Sequence, residues 1–140
     1  QMAVVADADA FISRMPQGYE TIVGERGVGL SGGQKQRISL ARALVKDPSI
    51  LILDDTTSAV DMETESKIQT ELAKLTDEKT TFIIAHRISS VREADLILMM
   101  EKGRVVEQGT HEELVSKGGK YYEVYQKQLG LSGGEESGTK

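Results

Sequence analysis

Four stretches carry residue types and spacings that could do chemistry together. Leu30-Ser31-Gly32-Gly33-Gln34 puts a serine and two glycines at the start of a helix-forming run. Bare backbone N–H groups and a hydroxyl at a helix N-terminus make an anion site, and the same residues also make an ordinary capped helix. Ile50-Leu51-Ile52-Leu53 runs directly into Asp54-Asp55. Carboxylates ending an aliphatic strand place negative charge at a sheet rim, where a divalent cation can be held through water. Aspartate pairs also arise at strand ends by chance. His86, in Ile84-Ala85-His86-Arg87, follows another apolar run. Its imidazole can meet an anion in neutral or charged form near physiological pH, but a lone histidine after a strand is more often structural. Asp61, in Ser58-Ala59-Val60-Asp61, is placed to cap the helix that follows.

These residues need elements to position them. Val4, Ala8, Phe11 and Met15 recur at near-helical spacing, so the pattern predicts one helix over 3–15, ended by Pro16 and Gly18. A glycine-rich loop precedes Ser31, which caps a helix running to about Leu44, before Pro48. The Ile50–Leu53 and Thr80–Ala85 runs suit buried parallel strands. Between them Ile68, Leu72 and Leu75 share one helical face. A short helix is expected near Ser89–Glu93. Leu96–Met100 and Arg104–Glu107 flank Glu101-Lys102-Gly103 as a hairpin. Thr110-His111-Glu112-Glu113 has capping-box spacing, and His111 reads as structural within it. Tyr121, Tyr122, Val124, Tyr125 and Leu129 mark a last amphipathic helix. Strands alternating with helices predict an α/β layer with a mostly parallel sheet. Such a sheet takes ligands at the carboxyl ends of its strands, where the residues above fall.

Composition narrows the choice of function. Lys and Arg number 17 against 22 Asp and Glu, a net charge of −5, with only 4% aromatic residues. That gives no electrostatic footprint for nucleic acid. With no cysteine, disulfides and thiolate metal sites are excluded. No apolar run approaches the roughly 18–20 residues that span a bilayer, and Gln1–Met2 opens no signal-peptide pattern. A membrane role would therefore act through a partner or a further segment.

The serine-glycine motif continues as Lys35-Gln36-Arg37 and then Leu40-Ala41-Arg42-Ala43-Leu44. Over this length it resembles the signature helix of the ABC transporter ATPases. The run ending in Asp54, about twenty residues on, is similar to their Walker B motif, and Ser58–Asp61 to their D-loop. Thr21-Ile-Val-Gly24-Glu25-Arg26-Gly27, and the later Gly103-Arg-Val-Val-Glu-Gln-Gly-Thr-His-Glu-Glu-Leu114, resemble the exporter subgroup. The resemblance covers about residues 3–129.

The resemblance implies the fold of an incomplete P-loop NTPase-like core, α/β with a mostly parallel sheet flanked by helices, plus the end of the helical subdomain. It implies two divisions, 1–46 with the signature motif and 47–129 with Walker B, the D-loop and the switch histidine; the Gly-, Ser- and Glu-rich residues 130–140 read from composition as a flexible tail. ATP and Mg²⁺ are the implied ligands. Ser31 and Gly33, with Gly32, would contact the γ-phosphate of ATP held by an opposite ATPase domain, and Gln34 would lie near the ribose. Asp54 would be the magnesium carboxylate, Asp61 would sit at the interface between the two domains, and His86 would touch the γ-phosphate. Asp55 stands where the family usually has the glutamate that polarises the attacking water.

No Gly-x-x-x-x-Gly-Lys-Ser/Thr occurs in the chain, so it is expected to be part of a longer polypeptide and to bind ATP weakly alone. Expected partners are a transmembrane domain, met through the Gly24–Gly27 loop, and a second ATPase domain, a heterodimer being favoured by Asp55. The expected place is the cytoplasmic face of a membrane. A soluble ABC ATPase of DNA repair or translation, or a catalytically silent interaction fragment, are the alternatives.

Overall fold

The computed structural model describes residues 1–24, 29–76 and 79–130. The chain divides after His86 into two compact units. The division expected at 46/47 lies inside the first, and the tail expected at 130–140 lies outside the described residues except for Gly130.

The first unit begins with two short helices, α1 (Met2–Val5) and α2 (Asp9–Ile12), where periodicity predicts one. The break is Asp7, whose φ of 51° lies in the left-handed region. Arg37 pays for that conformation. Its Nη1 donates to the Asp7 carbonyl at 2.8 Å and to the Asp7 carboxylate at 2.7 Å, and the guanidinium lies over the Phe11 ring, 4.9 Å from its centroid.

Helix α3 (Gly32–Val45) starts at Ser31 with a full capping box: Ser31 Oγ accepts from the Gln34 N–H, and Gln34 Oε1 accepts from the Ser31 N–H. Strand β1 (Ile50–Asp54), helix α4 (Met62–Thr76) and strand β2 (Thr80–Ile84) form one β-α-β unit. β1 and β2 pair in parallel, from Ile50 opposite Thr80 to Asp54 opposite Ile84. Leu40 and Leu44 of α3, Leu51 and Leu53 of β1, and Ile68 and Leu72 of α4 build the core with Val5, Ala6, Ala8 and Val60.

Only one face of this ladder is buried. Ile50, Ile52, Phe82 and Ile84 point the other way and are 54–64% exposed. The sequence reading of two fully buried strands is corrected to strands half-covered, with alternate residues in the core. The described residues supply apolar partners to the Leu51–Leu53 side alone.

The second unit contains β3 (Ile97–Glu101) and β4 (Arg104–Gly109), an antiparallel hairpin, then α5 (His111–Lys117) and α6 (Lys120–Gln128). Lys102 and Gly103 both take positive φ, as a tight hairpin turn of the right hand requires. The helix expected near 89–93 is a single 3₁₀ turn at Ile88–Ser90. Thr110 caps α5 through the capping box with Glu113, and Gly118 ends it in the left-handed conformation. Ile88, Ile97, Leu114 and Tyr121 form this unit's core. His111 is buried there, its Nδ1 2.8 Å from Tyr121 Oη and its ring edge-on to Tyr125, the structural role expected of it.

Candidate nucleotide site

The parallel register decides which residues share a rim. With Asp54 opposite Ile84, both strands end at the same edge of the ladder. Asp54 is exposed there, and the Asp55 N–H donates to the Ile84 carbonyl at 2.8 Å, one step beyond the ladder. His86, exposed, stands two residues past Ile84, so Asp54, Asp55 and His86 come to one end of the sheet.

Asp55 takes a φ of 49°, unusual for a residue with a Cβ. Its backbone is held on both sides. Besides the bond to Ile84, its carbonyl accepts from Gln36 Nε2 at 3.0 Å and from Ser58 Oγ at 3.2 Å. The loop after it is fixed by further bonds. Thr57 Oγ1 donates to Glu65 Oε1 at 3.0 Å, both residues buried, and the Val60 N–H closes a turn on the Thr57 carbonyl. Asp61 accepts from the Thr64 N–H at 2.9 Å and from the Thr64 hydroxyl at 2.8 Å, capping α4. Those bonds, the backbone N–H first, hold the Asp61 carboxyl below its ordinary range because they favour the ionised form.

The α3 N-terminus packs on this loop. A Cβ built on Gly33 would lie 2.8 Å from the Ala59 carbonyl oxygen, and one on Gly32 would lie 3.4 Å from Ala59 Cβ. Glycine at 33 is therefore needed for close approach of two backbones. The structure thus brings Ser31, Gly32 and Gly33 beside the Asp55–Asp61 loop, while the Gln34 side chain is turned back to the Ser31 N–H as part of the cap. Of the Gly24–Gly27 loop, residues 25–27 lie outside the described residues.

Two residues that organise the site were not singled out from sequence. Gln36 bridges α3 to the loop, and Glu65 anchors Thr57 from the first turns of α4. The Ser31-x-x-Gln34 spacing was a readable capping signal. Gln36 falls within the Lys35-Gln36-Arg37 run, but no local spacing gives it a role, because its partners lie about twenty residues away.

Among the described residues no group of three or more His, Asp or Glu could hold a metal. The Asp54-Asp55 rim suits a cation that keeps its waters and takes one or two protein carboxylates along with phosphate oxygens, as Mg²⁺ does. An exposed helix N-terminus, a carboxylate rim and a histidine near one end of a parallel ladder are features that phosphate-binding α/β sites share.

Comparison with known proteins agrees with that class. A family model described as ABC transporter matches residues 3–58. An uncharacterized ABC transporter ATP-binding protein of Bacillus subtilis, YknU, is 60% identical over 120 residues, which are 86% of this chain and 20% of that protein. A putative multidrug export ATP-binding/permease protein of Staphylococcus aureus is 54% identical over 125 residues, 89% of this chain and 22% of that one. The solved structure of a bacterial Atm1-family ABC exporter with ATP bound superposes with a TM-score of 0.87 at 46% identity, covering 91% of this chain and 23% of that chain. The chain belongs to the ABC transporter family, and its relatives are ATP-binding proteins of exporter type. It spans about a fifth of the length of these curated relatives.

Proposed function

We propose that the chain is part of the ATP-hydrolysing domain of an ABC exporter, one that couples ATP turnover to transport across a membrane. The observation that carries this reading is the register of β1 and β2, which gathers Asp54, Asp55 and His86 at one rim beside the capped start of α3. In this reading Ser31, Gly32 and Gly33 present backbone N–H groups to the γ-phosphate of a nucleotide held by a second ATPase domain, with Gln34 near its ribose. Asp54 would hold Mg²⁺, which supplies charge neutralisation on the phosphates. His86 faces the γ-phosphate of the nucleotide on its own side, and Asp61 lies at the domain–domain interface. No helix among the described residues is long and apolar enough to cross a membrane. The likeness to exporter proteins supports a transmembrane domain as partner. The Gly24–Gly27 loop would be its contact, at the cytoplasmic face.

Asp55 stands where a longer carboxylate would reach the attacking water, and it is about 1.5 Å short. Misplacement by about 1 Å costs on the order of 10²-fold in rate. The backbone cannot easily advance to close the gap, since Asp55 is tied at its N–H to Ile84 and at its carbonyl to Gln36 and Ser58. This supports a weak site, hence a heterodimer in which the partner domain carries the stronger one. The test is a chimera in which residues 1–129 replace the matching segment of the Bacillus subtilis relative. Asp55→Glu is expected to raise ATP turnover by about 10- to 100-fold, and Ser31→Arg to abolish it. Equal, small effects of both changes would overturn the reading.

A further inference from the structure

The Gln36 side chain makes three hydrogen bonds to the Asp55–Ala59 segment, and the proposed chemistry leaves it without a role. It lies one turn after Gly33, on the same face of α3. Its Oε1 accepts from the Ala59 N–H at 3.0 Å, and its Nε2 donates to the Asp55 carbonyl at 3.0 Å and to Ser58 Oγ at 2.9 Å. The orientation of the amide follows from its neighbours. A backbone N–H can only donate, so it must meet the oxygen, and a backbone carbonyl can only accept, so it must meet the nitrogen. One side chain thus spans both ends of the segment from Asp55 to Ala59.

A second observation points the same way. The Gly33 backbone is so close to the Ala59 carbonyl that no side chain fits between them. Gly33 supplies the close approach and Gln36 supplies the tie. Together they join the first turns of α3 to the loop that begins at the carboxylate rim.

We propose that Gln36 is a positioning residue that locks the Asp55–Ala59 loop to the start of α3, so that Asp55 keeps its left-handed backbone and the two site elements move as one. Resting on the reading above, this makes Gln36 the link between the α3 end offered to one nucleotide and the carboxylates that serve the other. An apolar residue of equal size would fill the space without fixing the Asp55 carbonyl.

The experiment uses the isotope-labelled 140-residue chain and needs no nucleotide, so its outcome is independent of whether the ATPase reading stands. Q36A removes both ends of the tie, whereas Q36E keeps an acceptor for Ala59 and removes the donor to Asp55. In Q36A the Ala59 amide should exchange with solvent at least about tenfold faster, with the Leu40 and Ile68 amides unchanged. In Q36E the Ala59 amide should stay protected while the Asp55 carbonyl ¹³C resonance shifts. Unchanged Ala59 exchange in Q36A would overturn the proposal, as would an unmoved Asp55 resonance in Q36E. Loss of protection at Ala59, Leu40 and Ile68 alike in both variants would reduce Gln36 to a general packing residue and also overturn it.

Discussion

Two adjacent glycines at the start of α3 should respond in opposite directions to the same substitution. Neither Gly32 nor Gly33 has positive φ, so alanine strains the backbone at neither. In both places alanine lowers the entropy of the unfolded chain and suits a helix, a gain of up to about 1 kcal/mol and less in a first turn. At Gly32 the new methyl meets Ala59 Cβ at 3.4 Å, an ordinary contact, so Gly32→Ala should be neutral or stabilising by about 0.5 kcal/mol. At Gly33 it meets the Ala59 carbonyl oxygen at 2.8 Å, with the Ala59 carbonyl carbon at 3.5 Å and Val60 Cγ2 at 3.6 Å behind it. The loop must retreat by about 0.5 Å to restore van der Waals distance. Gln36, Thr57 and Asp61 all hold that loop in place. Overpacking of this kind costs about 1–3 kcal/mol, so Gly33→Ala should be destabilising by about 1–2 kcal/mol after the helix gain. Exchange of the Leu40 and Ile68 amides in urea reads the first unit specifically, where the difference between the two variants amounts to roughly tenfold. Equal stability of the two variants would refute the close-approach argument and with it the seam between α3 and the Asp55–Asp61 loop.

The Asp61 cap makes α4 acid-sensitive. Its carboxyl is held below the ordinary 3.8, so its contribution is complete above that pH and is lost as pH falls through the depressed folded value. Thr64 amide protection should fall in that window in the wild type, and Asp61→Ala should lower it at neutral pH and remove the acid step; an identical acid profile in the variant would count against the cap. In the second unit, His111→Phe keeps the ring but leaves the buried Tyr121 hydroxyl without its partner, which should cost about 1–3 kcal/mol. Urea unfolding followed by fluorescence of Tyr121, Tyr122 and Tyr125 measures it, and an unchanged midpoint would argue that another group satisfies the hydroxyl.

Local signals in the sequence were legible where the structure is locally determined. Ser31 and Thr110 cap helices because their partners sit three residues away, and Lys102-Gly103 turns because the two strands flank it directly. Signals failed where distant residues decide. The period of Val4, Ala8, Phe11 and Met15 describes one helix, yet Arg37 draws Asp7 out of it from thirty positions on. Ile-Leu-Ile-Leu before Asp54 announces an apolar strand without saying which side finds a partner, and only Leu51 and Leu53 do. The strand runs were enough to bring Asp54, Asp55 and His86 to one end of the ladder, and the Ser31 cap to open α3. Gln36 and Glu65 went unread because a polar side chain on a helix looks the same whether it meets water or a loop.

The two ladders also differ in what the chain must accomplish before they can exist. Glu101 finds Arg104 across two residues, so the hairpin can close early and by chance encounter of near neighbours. Ile50 finds Thr80 only after the whole of α4 has folded back along β1, and the chain entropy of that long closure must be met before any ladder bond repays it. The rim bearing Asp54 and His86 is therefore assembled late, and its geometry exists only once the helix between the strands has been laid down.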